Sequence, residues 1–165
     1  MARETQPRTV ATRRSYDRVA ARYMERFEHE LDGKPFDREF LDNVATANRR
    51  NGWLVDLGCG PGQIGAYLAA KGLRIVSVDL SLEMFRVASP LLRKSARLQG
   101  DMRALPFANN SIAGAIAFYS LIHIAPTELG DVVARQVVWA ELYERVFRGR
   151  FRSAGRDRGG GSEGA

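Results

Sequence analysis

The chain has 165 residues, 45% of them apolar, and a formal net charge of +6, which suits one domain of ordinary size with a packed core. Residues 145–158 hold six Arg against one Asp, so the rest of the chain carries only +1 and no basic face for nucleic acid is indicated. The single cysteine, Cys59, excludes an internal disulfide framework and points to a reducing, cytoplasmic setting; the first twenty residues lack the apolar core of a secretory signal, and the longest apolar run, 112–126, is shorter than the ~20 residues of a membrane span.

Residues 1–11 are expected to be disordered. Residues 12–31 place Tyr16, Val19, Ala20, Tyr23, Met24, Phe27 and Leu31 on one face at helical spacing. Pro35 opens a second helix over 36–47, and residues 12–50 read as a helical cap. After the break "NRRNG" (48–52), strand and helix alternate. "WLVDL" (53–57) is apolar apart from its aspartate and reads as a buried strand. A helix over 62–71 turns Ile64, Leu68 and Ala69 inward, with Gly72 as its C-cap. "RIVSVD" (74–79) is a second strand; Ser81 caps a helix over 82–89 that Pro90 stops. "ARLQG" (96–100) and "SIAGAIAFYS" (111–120) are the third and fourth strands, completing a β/α core over 51–124. The spacing of Leu129, Val132, Val133, Val137, Ala140, Tyr143 and Phe147 predicts a last helix over 127–148. Residues 149–165, rich in Gly and Arg, read as disordered. The alternation implies an α/β fold: a doubly wound, mostly parallel sheet with helices on both faces.

The stretch "VDLGCGPGQIG" (55–65) puts four glycines between the first strand and its helix. A helix N-terminus gathers unpaired N–H groups, and glycine lets a ligand approach that backbone. "GPGQIG" formally matches the dinucleotide fingerprint, a weak signal alone. Asp56, on the strand itself, repels a pyrophosphate but suits an ammonium or a sulfonium. Asp79 ends the second strand, where a carboxylate accepts both hydroxyls of a ribose. Asp101 follows the third strand, within reach of an adenine amino group. A cationic ligand with ribose and adenine is S-adenosylmethionine.

On "VDLGCGPGQIG", "VSVDLSLEMFRVA" (76–88), "LQGDMRALPFANNSIAGAIAFYSLIHI" (98–124) and "YDRVAARY" (16–23), the chain resembles the class I S-adenosylmethionine-dependent methyltransferases. It looks most like the small-molecule group that includes the ubiquinone/menaquinone biosynthesis enzymes. The resemblance implies a Rossmann-like sheet. It places Asp56 and the backbone of Gly58, Gly60 and Gly62 around the methionine part of the cofactor. Asp79 would take the ribose hydroxyls, with Leu80 and Met84 beside the adenine. Asp101 and the Met102 N–H would hold the adenine edge, and Tyr119 and Ser120 would approach the amino group. Tyr16 and Tyr23 would face the acceptor, a small molecule. His123 would serve as a general base, or as a wall residue. Met84, Met102, Tyr16 and Tyr23 also fit plain packing roles. No metal is expected.

The family fold orders its strands 3-2-1-4-5-7-6. Here no strand pattern follows the fourth strand, so the order 3-2-1-4 is expected, with strands five to seven missing. The reading is a truncated or frame-shifted methyltransferase whose fourth strand is left as an edge prone to self-association, with turnover impaired. A non-catalytic S-adenosylmethionine-binding fragment, an NAD-dependent oxidoreductase and an Arg/Gly-tail RNA binder are the competing readings. No membrane partner is expected.

Overall fold

The computed structural model describes residues 7–48, 52–88, 90–108, 111–134 and 138–139. The apolar run at 53–57 forms β1 (Trp53–Leu57), whose last four residues are buried. Strand side chains alternate between faces. Leu54 packs on one face of the sheet with Leu41, Val44, Ile64, Leu68, Ile75 and Ile116. Val55 and Leu57 pack on the other with Val78, Ala115, Ala117, Leu121 and Val132. Each fully buried Val, Leu or Ile side chain among these contributes about 1.5–3 kcal/mol.

The elements around β1 are, in order, α1 (Pro7–Phe27), a 3-10 turn at Glu30–Gly33, α2 (Pro35–Asn48), α3 (Gln63–Ala70), β2 (Arg74–Asp79), α4 (Leu82–Val87), β3 (Ala96–Gln99), β4 (Gly114–Ile116), α5 (Pro126–Ala134) and β5 (Val138–Trp139). The strands pair in the order β3-β2-β1-β4-β5, all parallel. The expected order 3-2-1-4 is therefore present. A parallel sheet brings all strand carboxyl ends to one edge; α1 covers that edge, while α2 packs on a face of the sheet through Leu41, Val44 and Ala45. Ser81 accepts from the Met84 N–H at 3.1 Å and donates to Asp17 at 2.6 Å, so the N-cap of α4 also pins α1.

Two expectations are corrected at the ends. Helix α1 begins at Pro7, so residues 7–11 form its first turns; residues 1–6 lie outside the described residues. Of the helix expected over 127–148, the described residues show α5 at Pro126–Ala134, while Val138–Trp139 is strand and pairs with Ala115 and Ile116 of β4. β-Branched residues favour extended backbone, and β4 offers an unpaired ladder at this point. Within the described residues β4 is thus an inner strand rather than the bare edge. The rest of that expected helix and the tail over 149–165 lie outside the described residues. No helix among the described residues is long and apolar enough to cross a membrane.

Candidate functional site

The glycine loop leaves β1 and is tied to β2: the Gly58 and Cys59 N–H groups both donate to the Val78 carbonyl, at 2.8 and 3.0 Å. Gly58, Gly60 and Gly62 have φ of +67°, +49° and +85°. Each glycine is needed for a different reason. A Cβ on Gly58 would stand 2.4 Å from the Ser120 Cβ, and one on Gly62 would stand 2.7 Å from Leu92. A Cβ on Gly60 would meet only the Tyr23 ring, at 3.8 Å. Gly60 therefore borders open space.

That space is a cavity of about 330 Å³ above the carboxyl ends of β1, β2 and β4, roofed by α1. The Asp79 carboxylate lies at its floor. It accepts from the Gly60 N–H at 2.9 Å and from the Ser81 N–H at 2.8 Å. A carboxylate has about four acceptor sites, so acceptor capacity remains for a ligand. Burial pushes Asp79 above the usual carboxylate range, against these backbone bonds.

Asp56 is 1% exposed. It is in register with Ser77 on β2, and Gly65 of α3 covers both. Asp56 Oδ2 and Ser77 Oγ have no hydrogen-bond partner. Burial first, then the charge of Asp79, push the Asp56 carboxyl up to about 7. The folded-state pKa is raised, so ionisation is penalised only in the folded chain. Stability then falls as pH rises from near 4 to about 7, and is flat above it. Asp56→Asn is expected to remove this slope and to stabilise the ligand-free protein at pH 8 by a few kcal/mol, at about 1.4 kcal/mol per pH unit. Urea unfolding at pH 4.5 and pH 8 checks it; an unchanged pH slope in the variant would contradict it.

At the far end, Arg103 grips Asp101: Nε donates to Oδ1 at 2.9 Å and Nη2 to Oδ2 at 2.6 Å. Arg103 also donates to Glu128 of α5 and to Thr9 of α1. Burial acts to raise Asp101, but the Arg103 bonds outweigh it and leave it below its ordinary value. In the roof, the Tyr16 hydroxyl lies 2.6 Å from His123 Nε2, with the two rings edge to face. Burial and then the Arg8 charge lower His123, opposed by Asp79, so the imidazole is neutral at pH 7. Near the loop, Glu30 accepts from Lys34 at 3.2 Å and from Gln63 at 2.6 Å.

Asp56, Gly58, Gly60, Asp79, Leu80, Asp101, Met102, Tyr119, Ser120, Tyr16, Tyr23 and His123 all line this one cavity. Gly62 and Met84 do not. Gly62 is the left-handed N-cap of α3, backed by Leu92, and Met84 is fully buried beneath α4. Asp101 reaches the cavity with both oxygens already shared with Arg103. Sequence reasoning missed Arg8, Glu30, Lys34, Gln63 and Arg103. Arg8 was legible in principle, at i−8 from Tyr16 on the same helical face, once α1 is extended to Pro7.

Residues 54–138 match the family described as a methyltransferase domain. The chain is 32% identical over 136 residues to the putative methyltransferase YqeM of Bacillus subtilis, covering 81% of this chain and 50% of that protein. It is 37% identical over 104 residues to a malonyl-[acyl-carrier protein] O-methyltransferase of Erwinia billingiae, covering 58% of this chain and 41% of the relative. The chain thus spans half or less of these curated relatives. The fold is shared with magnesium protoporphyrin IX methyltransferase of Synechocystis, solved with bound S-adenosylmethionine, at a TM-score of 0.61, 16% identity, and coverage of 81% of this chain and 72% of that one. From the family match, and from the sheet order and glycine loop that agree with it, the chain belongs to the class I S-adenosylmethionine-dependent methyltransferases.

Proposed function

We propose that the cavity holds S-adenosylmethionine and serves methyl transfer to a small-molecule acceptor, as the resemblance to the ubiquinone/menaquinone group implies. The observation that carries this reading is the junction of Asp79 with Gly60, a buried carboxylate bound to a bare backbone beside open space. The residues fit the cofactor's parts. Asp79 has free acceptor sites for ribose hydroxyls. The backbone of Gly58 and Gly60 gives close approach for the methionine part, with Asp56 beneath it. Asp101 accepts from the adenine amino group while Arg103 keeps it anionic, and the Met102 N–H and Leu80 complete that end. Tyr119 and Ser120 border the amino group.

When bound, the sulfonium supplies an activated methyl for in-line displacement. The protein's part is alignment and exclusion of water. His123 is neutral and carries the proton step: an acceptor hydroxyl that replaces Tyr16 as partner of Nε2 gives its proton there. Tyr16 and Tyr23, stacked edge to face at 5.9 Å, orient the acceptor under α1.

Isothermal titration with S-adenosylhomocysteine tests the reading, with NAD as the control expected not to bind. Asp79→Ala is expected to weaken S-adenosylhomocysteine binding by about 1–3 kcal/mol, the loss of charge-assisted hydrogen bonds. It also removes acceptors for Gly60 and Ser81, so a lower melting temperature is expected alongside. A folded variant of unchanged affinity would remove the ribose assignment.

A further inference from the structure

The cavity wall carries three cations, Arg8, Lys34 and Arg103. Lys34 is held between Glu30 at 3.2 Å and Asp37 at 3.5 Å. Arg103 is held by Asp101 and Glu128. Arg8 has no ion pair among the described residues. It shares a face of α1 with Thr12 and Tyr16, at steps of four residues. Its charge acts on His123, whose Nε2 lies 2.6 Å from the Tyr16 hydroxyl, and all three residues line the cavity. Ile122 and Ile124, on the segment that carries His123, line the same cavity, and Ile122 is 59% exposed. A guanidinium with no counter-ion among the described residues, lining the same cavity as apolar side chains, is complementary to an anion with an apolar body.

We propose that the acceptor is an organic acid whose carboxylate docks on Arg8, whose apolar body lies against Ile122 and Ile124, and whose methylated atom faces His123. This deepens the methyl-transfer reading and rests on it. Arg8 is a specificity residue in this arrangement. Its fork matches a carboxylate, and neutral analogues leave it unpaired at the cavity mouth.

The chain has two histidines, which makes the test direct. His29 is 80% exposed and serves as an internal reference. The imidazole resonances of the full chain are followed by NMR, with and without S-adenosylhomocysteine, at constant ionic strength. The probes are benzoate, benzamide and inorganic phosphate. Benzoate is expected to shift His123 saturably and to raise its midpoint, since an anion at Arg8 favours the imidazolium, while His29 stays put. Benzamide, which lacks the charge, and phosphate, which lacks the body, are each expected to need at least tenfold higher concentration. Arg8→Gln is expected to cost the benzoate response about tenfold, with partial recovery in Arg8→Lys. The proposal is overturned if benzamide or phosphate matches benzoate, or if Arg8→Gln responds like the parent chain. Calorimetry with S-adenosylhomocysteine on the same samples reads the cofactor assignment separately, and the ligand-free arm still reads Arg8 if that assignment fails.

Discussion

Gly58→Ala is expected to destabilise the fold by about 2–5 kcal/mol, the sum of left-handed backbone strain and overpacking. The new Cβ would stand 2.4 Å from the Ser120 Cβ. Ser120 has little freedom to retreat, because its hydroxyl donates to the Leu57 carbonyl at 2.6 Å. Gly72→Ala isolates the backbone contribution: φ is +92°, with nothing within 4 Å of the new Cβ. Its cost is expected to be only about 1–2 kcal/mol. Gly60→Ala is expected to be similarly mild for stability, yet to reduce S-adenosylhomocysteine binding, because its Cβ enters the cavity. Urea unfolding of the three variants measures the difference. Equal losses for Gly58→Ala and Gly72→Ala would show that the contact with Ser120 is relieved and that strain alone acts.

His123→Ala is expected to lower the turnover number by about 10²–10⁴-fold, the usual yield of a positioned general base. S-adenosylhomocysteine affinity should change little, because in the proposed arrangement the residue faces the acceptor and not the cofactor. The pH dependence has a definite sign. Burial and Arg8 hold the imidazole below its ordinary value, so it is protonated and inactive only in acid. The ratio kcat/KM, which reports the free enzyme, is expected to rise with pH through a midpoint below about 6.5, the unperturbed value. Arg8→Gln removes a repelling charge and should move that midpoint up. Tyr16→Phe removes the 2.6 Å partner of Nε2 and should alter the rate without abolishing the titration. Full turnover in His123→Ala would assign His123 to the wall and leave alignment as the protein's whole contribution.

Read alone, the amino-acid sequence determined whatever short-range chemistry controls. The apolar run of β1, broken only by Asp56, and the β-branched Ile75, Val76 and Val78 of β2 set those strands at 53–57 and 74–79, as observed. The Ser81 cap set the start of α4, because a side-chain oxygen three residues before an N–H is a local signal. The gathering of Asp56, Asp79 and Asp101 was also legible, since parallel strands place their carboxyl ends at one edge. Long-range packing decided the rest. Gly62 reads like its neighbours in the loop, yet Leu92, thirty residues on, turns it away from the cavity. Met84 carries the family spacing, but α4 directs it into the core. The valines after Leu129 fit a helix by periodicity, and only the open ladder of β4 makes Val138–Trp139 a strand. The charges on the cavity wall needed the fold most. The pairs of Lys34 with Glu30 and Asp37 and of Arg103 with Asp101 are local, but Glu128 reaches Arg103 from 25 residues away, and only the folded chain shows that Arg8 has no such partner among the described residues.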